Sequence, residues 1–134
     1  MIKPILIVAA LVSAVASGAA AQSVSTNSNN DYAFCENRPD RPAIVEDMPF
    51  REAHRGILIQ RLYAANALES VVERNDCSCE TRFPSWDSAV EQYLELYAGI
   101  EDRHEIRSLT SEFTRSINDY RKLARPICEE VGNW

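Results

Sequence analysis

Three stretches of the chain carry apolar residues at helical spacing, and between them the pattern lapses into polar and proline-containing segments. From Phe50 to about Arg74, one stripe holds Phe50, Ala53, Ile57, Leu58, Leu62, Ala65, Leu68 and Val72. Residues Glu52, Arg55, Arg61, Glu69 and Glu73 fall mostly away from it, as expected of an amphipathic helix with one face in a core. Pro49 suits a first-turn position and Asp47 a capping position. Asn75 and Asp76 end the stretch. A second, shorter helix is predicted after Pro84, capped by Ser85 or Asp87, with Ala89, Val90, Tyr93, Leu94 and Tyr97 inward and Gly99 near its end. The third stripe runs Ile106, Leu109, Phe113, Ile117, Tyr120, Leu123, Ile127 and Val131. Pro126 lacks a backbone donor, so it should kink this helix or split off a short fourth one.

These stripes with short connections predict an all-α fold, a small antiparallel three-helix bundle. What precedes them is different in kind. Residues 1–21 have a lysine at position 3, an apolar run from Ile5 to Ala16, and small residues ending in Ala19-x-Ala21. That is the order of a cleavable export signal, with cleavage before Gln22. A permanent span needs about 20 apolar residues, and this run decays into Ser, Gly and Ala too early. Residues 22–34 are polar, with little to bury, and read as a flexible leader. Residues 36–48 hold Pro39 and Pro42 without a clean period and read as an extended, irregular arm. The expected organisation is therefore signal 1–21, leader 22–34, and one disulfide-stabilised helical domain over 35–134.

Export changes the meaning of the cysteines. Cys35, Cys77, Cys79 and Cys128 are an even set in a small chain bound for an oxidising compartment, the periplasm or the exterior, and predict two disulfides. The spacing Cys77-x-Cys79 is wrong for paired zinc ligands and is not the C-x-x-C of redox exchange. Topology narrows the pairing. The first helix ends near Cys77 and Cys79, the second returns, and the third ends near Cys128 at the same end of the bundle. Cys128 should therefore bond Cys77 or Cys79, leaving the other for Cys35, and Cys35–Cys79 with Cys77–Cys128 is favoured. The first helix spans roughly 37 Å at 1.5 Å per residue. Residues 36–49, fully extended, reach up to roughly 46 Å at 3.3 Å per residue. The arm can thus run back as a strap, and closing a loop of about 45 residues stabilises by the order of 4 kcal/mol.

The net charge of −6 disfavours nucleic acid, which needs a basic footprint, and anionic lipid surfaces; no stable membrane insertion is expected once the signal is gone. Catalytic candidates are weak. His54 and His104 are the only imidazoles and stand in no H-E-x-x-H spacing. Glu101, Asp102 and Glu105 lack calcium-loop spacing and suit the electrostatics of a helix start. There is no nucleophile elbow and no glycine-rich phosphate loop. No catalytic, cofactor or metal residue is assigned.

The aromatic residues are more informative, and those at helical spacing belong to the interior. Phe83, Trp86 and Trp134 flank connectors or the terminus rather than a helical stripe. They can cap the bundle end near the disulfides or, as candidate partner-binding residues, form an exposed anchor, because aromatics with arginine bury large area while keeping a polar handle. The expected function is thus a non-enzymatic, exported accessory or protein-binding protein of a bacterial envelope or secretion assembly. The rivals are an inhibitor of an exported enzyme, a small hydrolase or thiol-redox helper, and a carrier of a small apolar ligand.

Overall fold

The helices are built around two long, parallel neighbours. The structure, a computed structural model, describes residues 35–134, so the export signal 1–21 and the leader 22–34 lie outside the described residues. In chain order the helices are α1 (Ala43–Glu46), a 3-10 turn (Phe50–Glu52), α2 (Ala53–Arg74), α3 (Cys79–Arg82), α4 (Asp87–Leu96) and α5 (Arg103–Glu130). The described residues contain no strand. At one end, here called proximal, Arg103 Nη2 donates to the Arg51 carbonyl at 3.3 Å. At the other, distal end, the Cys77–Cys128 bond joins the chain just beyond α2 to the last turns of α5. Helices α2 and α5 therefore point the same way, and α4, which separates them in sequence, returns along α2. The three-helix, up-down-up arrangement is the one the apolar stripes predict.

Each boundary has a local cause. Asn75 closes α2 in the left-handed conformation (φ 48°), and its N–H reaches the Val71 and Val72 carbonyls. Ser85 Oγ accepts from the Asp87 N–H at 3.2 Å and opens α4. Asp102 accepts from the His104 N–H at 2.8 Å and caps α5. That bond gives part of the Glu101–Glu105 acidic run its role at the helix start.

Several expectations fail, each for a physical reason. Phe50 is 96 % exposed rather than on the inner stripe. It sits in a 3-10 turn, and the tighter period there breaks the register that a 3.6-residue extrapolation assumes. Pro49 precedes that turn, and Asp47 caps nothing with its side chain but closes α1. The arm is not wholly irregular: the Pro42 carbonyl accepts from Val45 and Glu46 and winds α1. Between α2 and α4, where no apolar stripe marks a helix, the chain winds α3, whose N-terminus is capped by Ser78. Pro126 neither splits nor ends α5. The bond it omits would have gone to the carbonyl of Lys122, and both residues lie on the solvent side, where water can serve that carbonyl. Leu94 (54 %), Leu123 (56 %) and Val131 (52 %) are exposed. Leu94 belongs to a ten-residue helix that turns only a narrow face to α2. Leu123 flanks a thin distal seam, and Val131 lies past the end of α5.

The interior divides in two. Leu58, Ile59, Leu62, Ala89, Tyr93 and Ile106 form the proximal core. Val71, Cys77, Ala124 and Cys128 form a smaller distal one. The arm covers the proximal core with Ile44, Val45 and Met48. It comes closest at Gly56, where an added Cβ would stand 3.3 Å from Met48 Sδ; the glycine gives the strap room to approach α2.

Candidate functional site

The distal end is where chain segments far apart in sequence converge. The disulfides are Cys35–Cys79, with Cα atoms 5.5 Å apart, and Cys77–Cys128, with Cα atoms 5.1 Å apart. No described cysteine is free. The two sulfurs of Cys77-Ser78-Cys79 thus hold different segments, one the arm and one α5, and do not form a dithiol pair. The terminus is tied into the same knot. Gly132 turns the chain with φ 72°, and Asn133 becomes fully buried. Its Nδ2 donates to the Cys77 carbonyl at 2.7 Å and its Oδ1 accepts from Arg82 at 3.3 Å. A buried amide is costly unless bonded, so these contacts fix where Trp134 emerges.

Around this knot stands a ladder of rings and guanidinium groups. Arg38, from the arm, lies 4.1 Å from the Phe83 ring centroid. Arg82 lies 5.3 Å from Phe83 and 4.9 Å from the Trp134 centroid. Such stacking stabilises by about 0.5–1 kcal/mol at exposed sites. Trp86 stacks on Tyr63, with centroids 3.8 Å apart and planes inclined by 11°. The Tyr63 hydroxyl donates to the Pro84 carbonyl at 3.0 Å, and burial pushes that hydroxyl's pKa up against the opposing pull of Arg38.

Phe83 and Trp134 share a groove of about 900 Å³ between α2 and α5, floored by Ala64, Ala67 and Leu68. Its outer wall is Asn118, Arg121, Lys122 and Arg125 of α5, and Tyr63 and Arg82 complete the lining. No Asp or Glu side chain lines it. Of the three aromatic residues singled out in the sequence, the fold brings Phe83 and Trp134 into this groove. Trp86 stands behind Tyr63, with its indole nitrogen enclosed and without an acceptor. The cations of the wall escape a reading of the apolar stripe because they sit on the flank of α5, not on its inner face. Their signal was the spacing: positions 118, 121, 122 and 125 fall on one side of a helix.

A second groove, about 700 Å³, lies at the proximal end. Phe50, Ile57 and His54 line one side and Arg103, Arg107 and Thr110 the other. His54 thus reaches a surface furrow, while His104 is exposed at the start of α5. Beside this end Arg55 forms a structural clamp. Its Nη2 donates to the Ile100 carbonyl at 2.6 Å, its Nη1 to the Ala98 carbonyl at 3.2 Å, and its Nε to Glu52 at 2.9 Å. Tyr93 and then Glu52 raise its pKa, keeping it firmly protonated.

Among the described residues no cluster of His, Cys, Asp or Glu could hold a metal ion, and no helix is long and apolar enough to cross a membrane. No family model, curated protein or solved structure matches this chain.

Proposed function

We propose that this is an exported accessory protein that binds another protein through its distal groove. The observation that carries the reading is the make-up of that groove. Phe83, Trp134 and Tyr63 offer ring surface, Arg82, Arg121 and Arg125 offer charge, and no Asp or Glu side chain lines the groove, in a chain whose net charge is −6. Aromatic and arginine side chains set on a rigid, water-accessible floor are the composition of interface anchors. Here rigidity comes from two disulfides and the buried Asn133, so little ordering cost remains for binding.

The test is capture of the mature protein from its native envelope fraction, run side by side with Phe83→Ala and Arg121→Glu. Both positions line the groove without belonging to either core, so circular dichroism should match the parent for both. Arg121→Glu should also melt with it, whereas Phe83→Ala, which loses its stacking with Arg38 and Arg82, should melt only a few degrees lower. A partner recovered with the parent and lost with both variants is the expected result. Equal recovery by all three proteins, or a parent that stays alone at native abundance, overturns the reading.

A further inference from the structure

The distal groove does not end where its aromatic residues do. Along α5 the proximal groove is lined by Arg103, Arg107 and Thr110, and the distal one by Asn118, Arg121 and Arg125. Within each set the residues are three or four apart, and Arg107 and Arg121 are separated by four turns' worth of sequence. At 3.6 residues per turn these positions stay on a single flank of the helix. The grooves are therefore two stretches of one furrow between α2 and α5. The acids Glu105, Glu112 and Asp119 recur every seven residues, about half a turn round from the arginines; of these Asp119 reaches back to Lys122 of the groove wall at 3.1 Å. Glu129 meets the basic flank only at its C-terminal end, where it pairs with Arg125 at 2.7 Å. Neither groove lining includes an Asp or Glu side chain.

Resting on the protein-binding reading above, we propose that this furrow takes one acidic amphipathic helix, roughly 20 residues long, from the partner protein. Charge complementarity selects an acidic occupant, because the cations are segregated onto this flank of an otherwise acidic chain. Apolar surface at both ends selects an amphipathic one. Phe50, 96 % exposed, and Ile57, 45 % exposed, stand at the proximal end, and Leu68 with Trp134 at the distal end. Length and shape select a helix. The basic flank from Arg103 to Arg125 runs about 33 Å at 1.5 Å per residue, and the valley between two neighbouring helices accepts a third by interdigitation of side chains. A nucleic acid would match the cations but not the apolar ends.

Fluorescence anisotropy of the full mature protein tests this with three labelled 21-residue peptides. One is an acidic amphipathic helix of Glu, Leu and Ala. The second carries Lys for every Glu, and the third has the acidic composition interrupted by two central prolines. At low salt the acidic helix should bind at least tenfold more tightly than either control, and rising salt should weaken it. The double variant Arg107→Glu/Arg121→Glu, both residues exposed, should lose at least tenfold in affinity, and Phe50→Ser a few-fold. Equal binding of the basic or proline-broken peptide overturns the proposal, as does undiminished affinity in the double variant. Tighter binding of a labelled 20-nucleotide single strand overturns it in favour of a polyanion. A concentration-dependent dimer in sedimentation that the double variant abolishes overturns it in favour of a second copy as occupant. Should native-partner capture depend on Phe83 while the acidic helix fails to bind, protein binding stands and the helical occupant falls. Should the acidic helix bind as expected while capture ignores Phe83, the occupant stands and the distal-groove reading falls.

Discussion

The two ends of this molecule solve the same problem with different forces. The proximal end is held by volume: Leu58, Ile59, Leu62 and Ile106 are wholly buried, and Arg55 clamps the turn after α4 from outside. The distal end has little volume to bury. Its core is Val71, Ala124 and two half-cystines, and the deficit is met by covalent bonds and a buried amide. The difference teaches why α5 can extend beyond the reach of α4. The distal seam is made of small residues where no third long helix covers it, and the staples replace the missing apolar area. They also leave the furrow beside them open.

This contrast can be broken from either side. The largest effect is expected from Cys77→Ala/Cys128→Ala, which reopens a loop of sequence separation 51 and should cost about 4 kcal/mol in equilibrium denaturation. Amide exchange should accelerate first in the last turns of α5 and only later around Leu62. If exchange rises uniformly, the two ends are one cooperative unit and the contrast is false. Next is Leu62→Ala, which empties the centre of the proximal core and should cost about 3 kcal/mol. The same exchange measurement should now show the opposite gradient, with the stapled end protected longest.

Replacing Arg55 by Met keeps much of its packing volume but leaves the Ala98 and Ile100 carbonyls without their donor. About 2 kcal/mol should be lost, with exchange rising locally in residues 97–102. Unchanged exchange there would mean that the clamp contributes nothing to the turn.

The smallest effect concerns acid. Thr81 donates to Asp76, with the Ser78 N–H and hydroxyl adding to it, and together they hold the Asp76 carboxyl below the ordinary carboxylate range. A pKa lowered by folding contributes stability that is complete above the unfolded-state pKa and is lost as pH falls through the folded one. Asp76→Asn should therefore flatten the acid limb of the stability curve and change its difference from the parent little at neutral pH and above. An identical acid limb in both proteins would show that the Asp76 cluster does not sense pH.

Much of this architecture was written in the order of residues. Apolar periodicity marked three helices because a helix must turn one face inward, whatever it packs against. The export pattern and the even set of cysteines pointed to staples, and helix direction alone brought Cys77 and Cys128 to one end. Turns were harder. The α1 and α3 helices, four residues each, are too short to show a period, and a capping serine such as Ser78 resembles any loop serine until the chain closes on it.

The candidate site was half legible. Phe83 and Trp134 stood out because no stripe claimed them, whereas Trp86, equally conspicuous, is turned against Tyr63. Arg103, Arg107, Arg121 and Arg125 were visible as a spacing but carried no meaning alone, since a cationic flank on one helix is ordinarily just solvated.

By itself, then, the sequence determined the three longer helical segments, that they form a strand-free bundle, and which cysteines could meet, because periodicity and chain direction are local properties. Only the tertiary structure decided that α2 and α5 would lie side by side with a furrow between them. It also decided that Arg38 and Arg82 would flank Phe83, and that Asn133 would lock the terminal Trp134 in place. Those outcomes depend on the distance and angle between elements, which are fixed by side-chain volume at the contact and by the reach of the disulfides rather than by any pattern along the chain.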